Sequence, residues 1–168
     1  MRKDAGRARA FRRVLGAAGI AAALALVAAP AADATILPGT HQVMSRQSPG
    51  ECLTVVGVGA GATVQVATCQ NLPWQRWETV PSPFGGIQLR SEQSGLCMRV
   101  VGFWNDAEVI QDTCDPTQPQ QVWFVMRTDN GWSRIFSFGA AKCLDKAGGD
   151  VTVYDCHGGW WQQWQSLG

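Results

Sequence analysis

After residue 34 the sequence has little helical patterning and few of the groups that catalysis needs. It has two histidines, His41 and His157, and contains no Cys-x-x-Cys pair and no His-Glu-x-x-His. Gly-x-Ser-x-Gly and a phosphate-cradling glycine loop are missing as well. Without a nucleophile, a base and an orienting group together, we predict a protein that is not an enzyme, needs no cofactor and binds no metal ion.

Clustered basic residues are lacking outside the first 34 residues. The whole chain has 14 Lys and Arg against 13 Asp and Glu, a formal net charge of +1. Residues 35–168 keep 8 basic and 11 acidic residues, so their net charge is about −3. Affinity for nucleic acid rests on clustered Lys and Arg, so a nucleic-acid partner is not expected.

The first 34 residues are predicted to be a secretion signal peptide. A basic leader precedes an apolar run at residues 14–29, Pro30 ends the run, and Ala32-Asp33-Ala34 has the pattern of a cleavage site. The run is shorter than the ~20 residues of a membrane span, and no later stretch qualifies. We expect cleavage near Ala34 and a secreted, extracellular domain at residues 35–168 without a membrane span; the export route, general or twin-arginine, stays open.

A Gln-x-Trp triplet occurs three times, and its tryptophan follows a cysteine by eight or nine residues each time. The triplets recur at periods of 46 and 41 residues, and a second cysteine precedes each copy. A repeat of this length is one supersecondary unit that cannot bury its own apolar face, so the units must share a core. The copies are Cys52…Cys69…Gln75-Arg76-Trp77, Cys97…Cys114…Gln121-Val122-Trp123 and Cys143…Cys156…Gln162-Gln163-Trp164.

All six cysteines follow the predicted signal peptide, and an even number in an exported chain indicates disulfides. Six cysteines allow fifteen pairings. The repeat selects the one that joins equivalent points within each unit: Cys52–Cys69, Cys97–Cys114 and Cys143–Cys156.

Short alternating runs separated by turn residues predict an all-β fold. Three units of four strands favour a closed threefold arrangement, which leaves no exposed sheet edge. The predicted strands lie at residues 41–47, 51–55, 63–68, 75–80, 86–92, 96–101, 108–113, 122–128, 133–138, 142–145, 151–155 and 163–167.

These repeats resemble the ricin B-type β-trefoil lectins, the Gln-x-Trp family, over residues 41–167. Each lobe of that family has a Cys-Leu-Asp-type strand, a Val-Gln-Leu-Tyr-Asp-Cys-type strand and a Gln-x-Trp. The third unit matches best, with Cys143-Leu144-Asp145 and Val151-Thr152-Val153-Tyr154-Asp155-Cys156. The resemblance, to a secreted bacterial single-domain member, implies a β-trefoil of twelve short strands in three pseudo-threefold lobes, each with one disulfide.

The Gln-x-Trp residues are predicted to be structural. A Trp is a large apolar plug that buries on the order of 200 Å². A Gln amide can satisfy backbone groups in the turn before the strand. We therefore assign the shared core to Trp77, Trp123 and Trp164, supported by Gln75 and Gln121.

The third lobe keeps most of the family's sugar-binding set. A pyranose needs a carboxylate acceptor, an amide or imidazole, and an aromatic platform. The resemblance implies Asp145 as carboxylate, Tyr154 as stacking ring, His157 after the second cysteine and Gln162 as amide. Trp161 replaces the family's usual Asn, and either adds a stacking face or blocks the pocket. Structural alternatives are a turn cap for Asp145, cross-strand packing for Tyr154 and an exposed loop position for His157.

The other lobes have lost this set. Thr54 and Ala67 replace the carboxylate and the aromatic ring in the first lobe, where only Gln75 remains. Arg99 and Asp112 stand at those positions in the second lobe, and we expect them to fill the pocket as an ion pair.

Two functions agree with these features. The first is a secreted carbohydrate-binding protein with one galactose- or xylose-type site in the third lobe and glycans or polysaccharide as partner. The alternative is a protein-interaction trefoil: the binding subunit of a secreted toxin or enzyme complex, or a protease inhibitor. Aromatic clusters outside a core mark interaction surfaces of either kind. The tryptophans expected in or near loops are Trp74, Trp104, Trp132, Trp160 and Trp161.

Overall fold

The computed structural model describes residues 38–167, and the predicted signal peptide lies outside this range. Within it the chain forms twelve β-strands and three single-turn 3₁₀ helices. The strands are β1 Gly39–Ser45, β2 Glu51–Val55, β3 Val64–Thr68, β4 Arg76–Pro81, β5 Ile87–Ser91, β6 Cys97–Val100, β7 Ala107–Asp112, β8 Trp123–Arg127, β9 Ser133–Ser137, β10 Lys142–Ala147, β11 Asp150–Tyr154 and β12 Trp164–Leu167. Each overlaps one predicted strand, so the all-β prediction is confirmed.

The glutamine that opens each triplet lies before the strand rather than in it. Gln75 ends the 3₁₀ helix Pro73–Gln75, and its N–H donates to the carbonyl of Leu72 at 2.8 Å. Equivalent turns span Pro119–Gln121 and Trp160–Gln162. Proline favours the first turn of a helix because its φ is already helical. The predicted strand start at Gln75 was therefore one residue early, and the starts predicted at Val122 and Gln163 were early by the same amount.

Six strands close into an antiparallel barrel. β1 pairs with β12 and β4, β4 with β5, β5 with β8, β8 with β9, and β9 with β12. Because the ring returns to β1, none of these six strands is left as an edge.

The other six strands form three hairpins, β2–β3, β6–β7 and β10–β11, that meet one another. β11 pairs with β7 through Thr152 and Glu108, and with β3 through Asp150 and Gln65. A bridge between Thr63 and Ile110 completes the contact of the three hairpins. A barrel with three such hairpins is the β-trefoil that the resemblance implied.

The triplet tryptophans lie in the core between barrel and hairpins. Trp77, Trp123 and Trp164 are fully buried, among Val, Leu, Ile and Met side chains from every lobe. Their indole N–H groups donate to the carbonyls of Leu53, Met98 and Leu144, at 3.1, 3.0 and 3.1 Å. Each tryptophan thus joins the barrel strand of its lobe to the hairpin of the same lobe.

All three predicted disulfides are present. Cys52–Cys69, Cys97–Cys114 and Cys143–Cys156 join residues that are 17, 17 and 13 positions apart. Each ties the first strand of a hairpin to the segment that follows its second strand. The third bridge therefore holds together the two segments that carry Asp145 and His157.

Candidate functional site

A buried glutamine holds the chain around the second cysteine in every lobe. Gln162 Nε2 donates to the carbonyl of Asp155 at 3.0 Å, and its Oε1 accepts the N–H of His157 at 2.9 Å. Gln75 makes the same two bonds to Thr68 and Gln70, and Gln121 makes them to Thr113 and Asp115. The glutamine thus sets the path of the loop that leads away from each cysteine.

In the third lobe this loop borders a groove of about 270 Å³. Four of the five residues predicted to bind sugar line the groove: Asp145 from β10, Tyr154 from β11, and His157 and Trp161 from the loop that follows. The fold brings them together because β10 and β11 form one hairpin, in which Cys143 faces Tyr154.

Asp145 is the buried acid of this groove, with 8% of its surface exposed. Burial raises the pKa of its carboxyl group above the ordinary value. A hydrogen bond from the Gln162 amide and the neighbouring His157 partly oppose that rise, while the carboxylate of Asp106 adds to it. Burial therefore disfavours the ionised form of Asp145, while Gln162 and His157 give that form two polar partners.

His157 presents one defined ring nitrogen to Asp145. Its Nδ1 accepts the N–H of Gly159 at 3.0 Å, so the ring proton of a neutral imidazole lies on Nε2. That Nε2 is 3.4 Å from Oδ2 of Asp145. A Cβ on Gly159 would lie 2.9 Å from both the His157 and Trp161 rings, so a larger residue there would displace these rings.

The aromatic side chains form a row along the groove. The rings of Tyr154 and His157 meet edge to face at 6.2 Å between centroids, and those of His157 and Trp161 at 6.3 Å. Tyr154 is 38% exposed and Trp161 is 48% exposed. Trp161 thus lies beside the groove with much of its surface open to solvent.

Gln162 does not reach the groove surface. Its side chain is fully buried, and its amide bonds lie within the protein, to the backbone around Cys156 and to Asp145. We therefore assign it a positioning role for Asp145 rather than ligand contact.

The groove is also lined by three residues that the sequence motif did not indicate: Asp106, Lys146 and Gly148. Asp106 comes from the second lobe. Its N–H donates to the carbonyl of Val153 in the third lobe at 2.9 Å. Lys146 donates to the carbonyl of Gly148 at 2.5 Å and lies 3.5 Å from Glu51. No motif within one repeat could indicate Asp106, because the residue is brought there by packing between lobes.

The equivalent positions of the other lobes differ as the sequence indicated. In the second lobe Arg99 pairs with Asp112 at 2.5 Å, so the predicted ion pair is confirmed. The pair does not fill the pocket as expected, because both side chains line a cavity of about 270 Å³, as large as the third-lobe groove. In the first lobe the hydroxyl of Thr54 accepts a hydrogen bond from Gln75 at 3.0 Å and leaves no carboxylate.

Over residues 38–167 we find no group of three or more His, Cys, Asp or Glu side chains that could hold a metal ion. The same part of the chain contains no helix long and apolar enough to cross a membrane.

Solved structures share this fold, whereas no protein-family model and no curated protein sequence matches the chain. The designed threefold symmetric protein ThreeFoil is 25% identical, with a TM-score of 0.72, over 77% of this chain and 99% of its own. The cytolethal distending toxin of Actinobacillus actinomycetemcomitans is 19% identical, with a TM-score of 0.67, over 76% and 90%. SeviL, solved with bound asialo-GM1 saccharide, is 18% identical, with a TM-score of 0.62, over 78% and 98%. Together with the strand order, these likenesses show that the chain is a β-trefoil.

Proposed function

We propose that this protein is a secreted, non-enzymatic carbohydrate-binding protein of the ricin B-type, Gln-x-Trp kind. The observation that carries the proposal is the groove of the third lobe, where a buried and hydrogen-bonded carboxylate meets an imidazole and two exposed aromatic rings. Trefoils with lectin activity give further support, since SeviL was solved with a saccharide bound.

Each group in the groove has a task that suits a pyranose. Asp145 accepts hydrogen bonds from vicinal hydroxyls, and Gln162 with His157 fixes the carboxylate before the sugar arrives. Tyr154 or Trp161 packs against the apolar C–H face of the ring. A single site for a neutral sugar gives a Kd in the millimolar to micromolar range, ~4–8 kcal/mol. We expect a galactose- or xylose-type sugar, as in the family that the repeats resemble.

Calorimetric titration of the purified protein with galactose, xylose and hits from a glycan array tests the site. We expect one sugar per chain, because Arg99–Asp112 and Thr54 replace the acceptor in the other lobes. Asp145→Ala should abolish binding and leave the melting temperature within a few degrees. Arg99→Ala, the matched change in the second lobe, should bind as the wild type does. Unchanged binding by Asp145→Ala would refute this site.

Export is part of the proposal. The basic leader, the apolar run and Ala32-Asp33-Ala34 support a signal peptide, and disulfides belong to oxidising compartments. Amino-terminal sequencing of protein from the culture medium is expected to begin at Thr35. A medium without the protein, or protein that retains residues 1–34, would contradict export with cleavage.

A second candidate, a protein-interaction trefoil, is favoured by an apolar surface away from the groove. The ring centroid of Phe138 lies 5.7 Å from that of Phe84 and 5.8 Å from that of Phe124. The side chains of Phe84 and Phe138 are exposed. Phe124 also lines a cavity of about 330 Å³ together with Pro81 and Ile87. The cytolethal distending toxin shares the fold, which makes a toxin or enzyme partner a specific alternative.

Size-exclusion chromatography of the native secreted protein separates the two candidates. A binding subunit elutes as a complex, and the double variant Phe84→Ser/Phe138→Ser should release the partner while leaving sugar titrations unchanged. A monomer that binds sugar favours the lectin function, whereas a complex without sugar binding favours the alternative.

A further inference from the structure

The loop between β6 and β7, residues 101–106, belongs to the second lobe but is fastened to the third. Asn105 Nδ2 donates to Oδ2 of Asp155 at 2.9 Å, and Asn105 Oδ1 accepts the N–H of Asp155 at 3.0 Å. The N–H of Asp106 donates to the carbonyl of Val153 at 2.9 Å. Three hydrogen bonds therefore hold this loop against the end of β11, next to Tyr154.

The loop carries the most exposed tryptophan of residues 38–167. Trp104 is 61% exposed, and the neighbouring Phe103 is exposed to a similar degree. Neither ring has an aromatic partner among the described ring contacts. Trp104 lies two residues before Asp106, which lines the groove, and large exposed apolar groups often mark binding surfaces.

Gly102 gives the Trp104 ring a defined position. A Cβ at Gly102 would lie 2.2 Å from two ring atoms of Trp104, which means that the indole lies directly against the glycine backbone. A ring supported on one side and open to solvent on the rest is a preformed platform for the C–H face of a sugar.

The charges in the groove wall indicate what kind of ligand can bind there. Asp106 contributes a second carboxylate to the groove wall that contains Asp145. Lys146, the basic residue of that wall, is already engaged with Gly148 and Glu51. Two acceptor carboxylates with no free cation in the wall favour a neutral ligand rich in hydroxyl donors and disfavour an anionic one.

We propose that residues 101–106 form a second subsite beside the third-lobe groove, with Trp104 as its stacking ring and Asp106 as the hydroxyl acceptor between the two subsites. The ligand is then a neutral oligosaccharide of at least two sugar units, bound across two lobes. This proposal rests on the proposed sugar site at Asp145, and it assigns to the second lobe a role that its own motif residues do not have.

Chain-length dependence of affinity tests the second subsite. Calorimetry would compare the monosaccharide that binds the wild type with the matching disaccharide and trisaccharide. We expect the longer ligands to bind the wild type about tenfold more tightly, since a stacked aromatic contact contributes on the order of one power of ten. Trp104→Ala should keep the monosaccharide Kd and lose the gain with length. Gly102→Ala, which displaces the ring without removing it, should reduce the gain.

Trp160→Ala is the matched control, because Trp160 is 57% exposed but stacks on Arg46, outside the loop that brings Asp106 to the groove. It should keep the gain with chain length. Equal wild-type affinity for all lengths, or a full gain in Trp104→Ala, would overturn the second subsite while leaving the monosaccharide site standing. Failure of the wild type to bind any length would overturn the site at Asp145 and the subsite together.

Discussion

The three lobes differ in one residue that meets the same buried glutamine. Gln75 donates to the Thr54 hydroxyl, and Gln162 donates to the carboxylate of Asp145. Arg99, at the equivalent position of the second lobe, has no acceptor to offer and pairs with Asp112. The residue at this position therefore decides whether a carboxylate meets the buried glutamine.

Asp145 is expected to lower stability at neutral pH, which Asp145→Asn would reveal. Burial raises the folded-state pKa above 3.8, so the folded protein prefers the protonated acid. The stability from this group is fully present below its unfolded pKa and is lost as the pH rises through the folded pKa. Urea unfolding should show Asp145→Asn to be more stable than the wild type at pH 7 and equal to it at pH 3. A constant difference between the two at both pH values would contradict this.

Sugar binding should depend on pH in the opposite direction. Hydroxyls donate to the ionised carboxylate, so affinity is expected to fall as the pH drops through the raised pKa of Asp145. Calorimetric titrations from pH 8 to pH 4 should show this loss beginning above the ordinary range of an aspartate. Affinity that is constant down to pH 4 would mean that the carboxylate does not contact the ligand.

A buried triplet tryptophan and an exposed tryptophan should differ sharply in their effect on stability. Trp77→Ala removes a fully buried indole together with its hydrogen bond to Leu53, and we expect a loss of about 3–5 kcal/mol in denaturant unfolding. Trp160→Ala should change the free energy of unfolding by no more than about 0.5 kcal/mol. Similar effects of the two changes would contradict the position of the core.

The repeated element that organises each lobe is the 3₁₀ turn with its terminal glutamine. The same pair of bonds, to the residues before and after the second cysteine, occurs at Gln75, Gln121 and Gln162. These bonds give partners to one backbone carbonyl and one backbone N–H that have no partner within the loop itself. The element has a structural role in all lobes, and we propose a further role in sugar binding for the third, where an acid faces it.

Gln162→Leu and Gln121→Leu should separate these two roles. Each change leaves buried backbone groups without partners, so we expect both variants to lose about 2–4 kcal/mol of stability. Only Gln162→Leu should also abolish sugar binding, because only Gln162 supports Asp145. Thermal melts and calorimetry on the same samples give both values. Retained affinity in Gln162→Leu would show that Asp145 needs no support.

The hairpin loops reach from one lobe to the next. Gln111 of the second lobe donates to the carbonyls of Gly57 and Gly59 in the first-lobe loop, at 3.2 and 2.9 Å. In the third-lobe loop, the carbonyl of Gly149 accepts a hydrogen bond from the N–H of Val66 at 3.1 Å. In the second-lobe loop, the side chain of Asn105 donates to Asp155. Each lobe is thus completed by residues of a neighbour, which is how Asp106 comes to line the third-lobe groove.

For the molecule as a whole, closure of the barrel and the three disulfides act together. Each bridge closes a short loop worth ~3 kcal/mol on the chain-entropy model. Three of them together approach the ~5–15 kcal/mol total stability of an ordinary domain. We therefore expect full reduction to unfold the protein near room temperature, as tryptophan fluorescence would show. A reduced protein with an unchanged melting temperature would contradict this.

Replacing one bridge at a time locates its role. Cys143→Ala/Cys156→Ala and Cys97→Ala/Cys114→Ala should each lose about 3 kcal/mol. The third-lobe pair should also weaken sugar binding, because it joins the segments of Asp145 and His157, whereas the second-lobe pair should not. Equal affinities in the two variants would place the sugar site outside the third lobe.

Periodic residues predicted most of the fold. Cysteines and Gln-x-Trp triplets at equivalent points indicated the disulfides, the three lobes and twelve strands within a few residues. The burial of Trp77 and the pairing of Arg99 with Asp112 also agree with what the residue types suggest. Every predicted strand start lies within two residues of the observed one. Gln75 was wrongly placed in a strand, because it bonds backward to the loop and lies in a 3₁₀ turn.

The amino-acid sequence therefore determines the trefoil. Each of its three repeats contains the tryptophan that is buried in the core and the two cysteines that form a disulfide. The groove is formed mainly by the third lobe, but its wall is completed by packing between lobes. Asp106 and Trp104 lie far along the chain from Asp145, and no periodicity links them to it. The hydrogen bonds of Asn105 to Asp155 bring that loop to the third lobe, and burial of Gln162 beneath Asp145 decides that this amide supports the acid instead of meeting a ligand.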